Sequence, residues 1–262
     1  MSERVAIDID GHVAEVRLNR PDKHNAIDLA MFEALSEAAK EVAANNAVRA
    51  VVLTGAGENF CAGIDMGMFQ TQFDYKTALA TPLEPSPANL FQRPGYAWRE
   101  LPQPVICAIR GVCYGGGLQI AAGADIRYAT ADARLSILEI KWGLIPDMSM
   151  TTTLRDVVPV DKVKELTFTG RVFDGNEALQ LGVVTALHDD PLAAARELAQ
   201  VIASKSPDAI RRGKKLINAA WNLADDEALQ LEARLQGEVI GEPNQMEAVM
   251  ANFEKRPPEF RD

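Results

Sequence analysis

A glycine triplet at residues 115–117, directly before a helix-like run at 118–124, is the feature that most restricts this chain. Because glycine has no side chain, a ligand can approach the backbone, and the first N–H groups of the following helix lack partners within it. Such helix N-termini bind anions. A lone triplet predicts only a tight turn, but here Glu139 lies twenty residues after Gln119. The motif therefore predicts a turn whose backbone binds a carbonyl oxygen of a ligand, next to a carboxylate that could act in catalysis.

A second glycine-rich loop lies upstream of the triplet. The apolar run 50–54 predicts a buried strand, which breaks into the loop 55–65 with its three glycines. Two such turns, each leaving a strand, can converge on one oxygen from two sides. An oxyanion hole stabilises an enolate or a tetrahedral anion in this way.

Strand and helix patterns alternate over the first part of the chain. A turn signal at residues 10–11 predicts a hairpin of strands 5–8 and 13–18, and Asp28 is placed to cap the next helix. Further strands are predicted at 50–54, 105–109, 126–129 and 135–140. This serial mixing predicts an α/β fold.

The pattern becomes almost wholly helical after residue 190. Amphipathic helices are predicted at 192–204, 207–223, 227–240 and 243–253. Their apolar stripes need a surface against which to pack. We therefore expect a core with the active site over residues 1–190 and a helical region over residues 191–262.

Periodicity is weak between residues 66 and 100, where prolines interrupt every pattern. We expect this segment to be irregular and mobile. Beside a site loop, such a stretch is either a lid or binding loop, or a tolerated surface insertion.

Composition restricts the partners of the chain. A formal charge of −10 over 262 residues is unlike the basic footprint of nucleic-acid-binding proteins. No apolar run reaches the roughly 20 residues that span a bilayer, so no membrane partner and a cytoplasmic location are expected. The three cysteines and three histidines are scattered, which predicts packing thiols and no metal site or Ser-His-Asp arrangement.

Several segments together resemble the crotonase (enoyl-CoA hydratase/isomerase) superfamily. They are residues 18–21 with 25–26, 60–65, 111–117, 124–128 and 253–256, in the family's order. The resemblance implies a spiral of ββα repeats followed by a C-terminal helical trimerisation region. It also implies a coenzyme A thioester as substrate, no permanently bound cofactor, and a homotrimer or a dimer of trimers.

The resemblance also implies roles for individual residues. Backbone N–H groups of Ile64 and Gly116 would form the oxyanion hole, and the family's two hydratase glutamates match Gln119 and Glu139. Substrate or coenzyme contacts would come from Lys23, His24, Ala26, Ala62, Gly63, Asp65, Tyr114 and Lys255.

Gln119 departs from the hydratase pattern, because an amide cannot take up a proton at neutral pH. Double-bond migration needs only one carboxylate, and Glu139 is the candidate acid/base. Isomerisation is therefore favoured. The alternatives are a hydratase with Glu139 as main acid/base, and a non-catalytic acyl-CoA-binding paralogue.

Two carboxylates have competing interpretations. Glu139 is either catalytic or a solvent-facing residue of the strand predicted at 135–140. Asp147 lies in a segment, 125–147, that is similar to the dienoyl-CoA isomerase branch, which implies a catalytic role. It is equally placed to cap a helix beginning at Met148.

Overall fold

Strands and helices alternate along the chain in the computed structural model, which describes residues 4–262. The strands of this part are β1 Val5–Asp10, β2 Val13–Leu18, β3 Ala50–Gly55, β4 Val105–Ile109, β5 Val112–Tyr114, β6 Ile126–Ala129, β7 Arg134–Ser136, β8 Phe173–Asp174 and β9 Ala186–Leu187. The α-helices are α1 Leu29–Ala44, α2 Tyr75–Ala80, α3 Arg93–Glu100, α4 Gly116–Ala122, α5 Met150–Thr153, α6 Val160–Thr169, α7 Gly175–Leu181, α8 Pro191–Ala203, α9 Pro207–Ala220, α10 Asp225–Gly237 and α11 Pro243–Glu254. Short 3-10 helices occupy Pro21–Lys23, Met66–Gln70 and Glu139–Trp142.

Two sheets divide the strands. The larger has the order β1-β2-β3-β4-β6-β9; β1 and β2 form the predicted antiparallel hairpin, and every other pairing is parallel. The smaller sheet has the order β5-β7-β8. The glycine triplet follows β5, so it lies where the second sheet meets α4.

Helices cover both faces of the larger sheet, as a parallel sheet requires. All six residues of β3 are buried. On one face α1 contributes a buried stripe that includes Met31, Phe32 and Leu35. On the other face, Ala195 and Ala199 of α8 pack against buried residues of β3 and β4. The α/β prediction is confirmed, while the division at residue 190 stays a prediction.

The strand predicted at 135–140 was wrong beyond Ser136. β7 pairs with β5 over three residues only, and Glu139–Trp142 is a 3-10 helix that ends at Gly143 with φ 70°. Glu139 is 9% exposed, so the interpretation of a solvent-facing strand residue was also wrong.

The segment 66–100 is more regular than expected. It contains Met66–Gln70, α2 and α3, and its Phe91 and Trp98 are buried in the core. Pro94 occupies the first turn of α3. Backbone N–H groups in the first turn have no acceptor within the helix, so a proline there costs no helical hydrogen bond. The expectation of an irregular segment was therefore wrong at these helices.

Asn25 joins the two loops that flank the site. Its side chain is fully buried, and Nδ2 donates to the carbonyl oxygens of Ala56 at 2.9 Å, Asn59 at 2.9 Å and Phe60 at 3.1 Å. Its Oδ1 accepts from the backbone N–H of Arg20 at 2.8 Å. One side chain thus ties residues 20–25 to the loop after β3.

Replacement of this side chain is expected to destabilise the fold. Asn25→Ala leaves several buried polar groups without partners and places alanine at φ 56°. We expect the free energy of unfolding to fall by about 2–4 kcal/mol, measured by urea denaturation. The matched control is Asn46→Ala at an exposed position, which should change it by less than about 0.5 kcal/mol. Equal effects in both variants would contradict the role of Asn25.

Candidate active site

The two glycine-rich loops are joined by main-chain hydrogen bonds. The N–H of Cys61 donates to the Val112 carbonyl, and the N–H of Tyr114 donates to the Cys61 carbonyl, both over 3.0 Å. Gly63, at φ 92°, packs so closely that an added Cβ would lie 2.8 Å from the Tyr114 oxygen and 3.8 Å from the Gly116 nitrogen. The loops therefore converge, as the sequence predicted.

The two amides assigned to an oxyanion hole have no protein acceptor among residues 4–262. Ile64 lies opposite Ile27 in an isolated parallel bridge. The two hydrogen bonds of this bridge run from the N–H of Ile27 to the Gly63 carbonyl and from the N–H of Asp65 to the Ile27 carbonyl. The N–H of Ile64 itself stays unused in that pairing. Gly116 is the first residue of α4, so its N–H has no partner within the helix. Both amides are available to a ligand oxygen.

A cavity of about 410 Å³ gathers most of the predicted site residues. The predicted residues that line it are Lys23, Ala26, Ala62, Gly63, Ile64, Asp65, Tyr114, Gly116 and Glu139. Leu138, Trp142 and Leu144 add apolar surface to the same wall. Sequence reasoning missed Met66, Phe69 and Lys141.

Four predicted residues are not part of this cavity wall, namely Gln119, Asp147, His24 and Lys255. His24 adopts a left-handed conformation, with Nδ1 3.0 Å from Nδ2 of Asn59. Lys255 ends α11, also in a left-handed conformation. The structure therefore does not bring the side chain of His24 or that of Lys255 to the site within one chain.

Gln119 links Glu139 to the segment that follows it. Its Nε2 donates to Oε1 of Glu139 over 2.6 Å, and its Oε1 accepts from the backbone N–H of Met148 over 2.8 Å. Gln119 is 1% exposed. Oε2 of Glu139 is buried and has no partner in the described part of the chain. Glu139 lines the cavity, and its carboxylate has one hydrogen-bonded oxygen and one buried oxygen without a partner among the residues described.

Desolvation raises the pKa of Glu139. The nearby backbone amide of the same residue and the hydrogen bond from Gln119 lower it, while the negative charge of Asp147 raises it further. A carboxylate with a raised pKa is a stronger base, which suits removal of a proton from carbon.

Asp147 does not cap the helix that was predicted to begin at Met148. That helix is α5, it begins at Met150, and its N-cap residue is Ser149. Asp147 as a whole residue is exposed to solvent. Its carboxyl group is nevertheless partly desolvated, and this desolvation raises its pKa. The cap interpretation was wrong, and a catalytic role for Asp147 stays a prediction.

The carboxylate of Asp65 is already engaged. It accepts from the N–H of Gly67 at 2.8 Å and from Nη1 of Arg20 at 2.5 Å. The Gly67 amide, followed by Arg20, lowers the pKa of Asp65. Asp65 lines the cavity as a fixed anion that holds the end of the loop 55–65 against Arg20.

The mouth of the cavity is aromatic. Phe69 and Trp142 have ring centroids 6.3 Å apart and remain 50% and 45% exposed. Nζ of Lys141 lies 5.2 Å from the Trp142 ring. Phe69 escaped the sequence analysis because the whole stretch after residue 66 had no clear periodicity.

Other chemistries find little support at this site. Cys61 is buried, and burial raises the pKa of its thiol to about 12, which leaves it a poor nucleophile. Within residues 4–262 there is no cluster of three metal-ligating side chains. None of the helices described is both long and apolar enough to cross a bilayer.

Comparison with known proteins agrees with the fold and the loops. Residues 8–262 match the family model "Enoyl-CoA hydratase/isomerase". The chain is 34% identical to the mitochondrial Delta(3,5)-Delta(2,4)-dienoyl-CoA isomerase of Mus musculus, over 94% of this chain and 77% of the relative. It is 32% identical to the short-chain-enoyl-CoA hydratase of Clostridium acetobutylicum, over 96% of this chain and 95% of the relative.

Solved structures give the same result. The enoyl-CoA hydratase of Bacillus anthracis superposes with a TM-score of 0.89 at 30% identity, over 98% of both chains. The chain therefore belongs to the enoyl-CoA hydratase/isomerase family of crotonase-fold enzymes, which act on acyl-CoA thioesters. This confirms the fold class and the family resemblance read from the sequence.

The convergence of the two loops can be tested at Gly63. Gly63→Ala forces alanine to φ 92° and drives its Cβ against the Tyr114 oxygen, so the loops must separate. We expect kcat/KM with an acyl-CoA substrate to fall about 10²-fold, the effect of losing one oxyanion donor. Gly213→Ala, where an added Cβ meets nothing, is the control and should retain activity. Full activity of Gly63→Ala would contradict the close approach of the loops.

Proposed function

We propose that this enzyme moves a carbon–carbon double bond in an enoyl-CoA thioester, with Glu139 as the acid/base. The observation that carries the proposal is one buried carboxylate in the cavity, with an amide, Gln119, where hydratases of the family have a second glutamate. Hydration needs one group to activate water and another to protonate carbon, whereas isomerisation needs a single group used twice.

The proposed reaction conserves every atom of the substrate. Glu139 removes a proton from the α-carbon, and the electron pair of that C–H bond spreads into a dienolate. The N–H groups of Ile64 and Gly116 stabilise the negative charge on the thioester oxygen. Glu139 then returns the proton to the γ-carbon. The coenzyme A thioester is the substrate, and no resident cofactor takes part.

The coenzyme would bind along the loop that contains Lys23, His24 and Ala26. Lys23 and Ala26 lie on the cavity wall, so a ligand at the two amides can extend past them. Lys255 is proposed to reach the coenzyme of a neighbouring subunit. Asp147 is proposed as a second acid that acts on longer, conjugated substrates, as the dienoyl-CoA isomerase resemblance implies.

We propose a homotrimer or a dimer of trimers, built by residues 191–262 and located in the cytoplasm. The support is a set of exposed apolar side chains on the C-terminal helices. These are Ile217, Trp221, Leu229, Ile240, Met246, Met250 and Phe253, with exposed fractions of 45–79%. Packing of these side chains between subunits would remove them from water, which supports the proposed assembly.

Two alternatives predict different products. A hydratase, as the Clostridium acetobutylicum relative is named, would add water to crotonyl-CoA. A non-catalytic binding paralogue would bind acyl-CoA without exchanging any substrate proton. Turnover with 3-enoyl-, 3,5-dienoyl- and 2-enoyl-CoA distinguishes isomerase from hydratase, and solvent deuterium exchange at the α- and γ-carbons distinguishes either from the paralogue.

Removal of the acid/base should abolish the reaction. Glu139→Gln is expected to lower isomerisation and proton exchange by about 10²–10⁴-fold, the contribution of a general acid/base. Absorbance assays and NMR-detected exchange measure the two quantities. Glu33→Gln, at an exposed position of α1, is the control. Rapid crotonyl-CoA hydration that survives in Glu139→Gln would remove Glu139 from its role.

The same variant should not lose stability at neutral pH. Since burial raises the pKa of Glu139 above its ordinary 4.5, the folded protein binds this proton more tightly than the unfolded chain. The contribution favours folding below that value and is lost as pH rises through the raised pKa. We therefore expect Glu139→Gln to have an equal or higher Tm at pH 7, with the difference shrinking in acid. A lower Tm at pH 7 would contradict this sign.

A further inference from the structure

The carboxamide of Gln119 has a fixed orientation. A backbone N–H can only donate, so the oxygen of the amide must face the Met148 N–H, 2.8 Å away. The NH₂ group must then face Oε1 of Glu139 at 2.6 Å. The main chain after Asp147 thus determines which end of Gln119 meets the catalytic carboxylate.

This orientation makes the two oxygens of Glu139 chemically different. Oε1 accepts the short hydrogen bond from Gln119, and it lies 3.2 Å from where a Cβ at Gly115 would be. A proton on Oε1 would have to replace that bond. Oε2 is desolvated and has no hydrogen-bond partner among residues 4–262. No hydrogen bond has to be broken before Oε2 takes up a proton.

We propose that Gln119 is a positioning residue that holds Oε1 of Glu139 as a permanent acceptor, so that Oε2 removes and returns the substrate proton. The inference rests on the proposed isomerase function, because it assigns one atom within that mechanism. The proton passes from the α-carbon to Oε2 and from Oε2 to the γ-carbon, and Gln119 exchanges nothing. No oxidant or co-reactant is needed.

Other charged groups act on Glu139 from the surrounding elements. Asp147 is the anion that raises its pKa, and it lies next to the residue that orients Gln119. The titratable side chains on the rest of the cavity wall are Lys23, Asp65, Tyr114 and Lys141. None of them donates a hydrogen bond to Glu139 in the described chain, so Gln119 is its side-chain donor.

The pH dependence of kcat/KM tests this role. Gln119→Met removes the donor, and Gln119→Glu replaces it with an acceptor of nearly the same shape. Both changes remove an interaction that lowers the pKa of Glu139, so the acid limb of the profile should move to higher pH. We expect kcat/KM about tenfold below wild type on the acid side, with recovery towards wild type at alkaline pH.

A second buried glutamine provides the matched control. Gln103 is 1% exposed and donates to the Val42 carbonyl over 3.2 Å, away from the cavity. Gln103→Met should lower Tm and leave the acid limb in place. If Gln119→Met does not fold, Gln119→Glu carries the test, since its side chain still offers an oxygen to the Met148 N–H.

The outcomes separate the inference from the function. An inactive Glu139→Gln together with an acid limb unmoved in the Gln119 variants would overturn the positioning role and leave the isomerase proposal standing. Proton exchange that persists in Glu139→Gln would overturn the function itself. A limb that moves in both Gln119 variants but not in Gln103→Met is the result that the inference requires.

Discussion

The main-chain contact between residues 61–63 and 112–116 is the constraint on which the rest of the site depends. Two loops that leave different sheets exchange hydrogen bonds through Cys61, and Gly63 packs directly on the Tyr114 carbonyl. This contact leaves the amides of Ile64 and Gly116 unused at one cavity. Because the donors belong to the backbone, their placement follows from sheet geometry and glycine positions, and side-chain rotamers have little influence on it.

Glu139 shows how the fold adjusts a single carboxylate. Burial makes it a stronger base, while Gln119 limits that rise and holds one oxygen in place. An apolar pocket alone would leave the side chain free to rotate and protonated over a wider pH range. The chain thus places an ionisable group where ionisation costs stability, a common compromise at sites that perform chemistry.

The sequence predicted those parts of the structure that local patterns encode. The hairpin, α1 with its Asp28 cap, β3, β4 and the four C-terminal helices depend on periodicity and end signals, and all are confirmed. The strand predicted at 135–140 was wrong because its length depends on how far β7 pairs with β5. No local signal carries that information.

Site residues followed the same division. Glycine-rich loops can be recognised from the sequence alone, so the convergence of residues 55–65 with 115–117 was predicted. The burial of Glu139, the amide bridge to Met148 and the positions of Met66 and Phe69 on the cavity wall arise from packing between distant segments. Prolines after residue 80 hid α3, because Pro94 starts that helix rather than breaking it.

The aromatic pair at the cavity mouth joins the segment after Ile64 to the 3-10 helix that begins at Glu139. Phe69 follows the loop that carries Ile64, and Trp142 closes the 3-10 helix that begins at Glu139. Any separation of these two rings would displace the segment after Ile64 relative to the 3-10 helix of Glu139. The width of the cavity mouth and the spacing of the two loops behind it are therefore mechanically coupled.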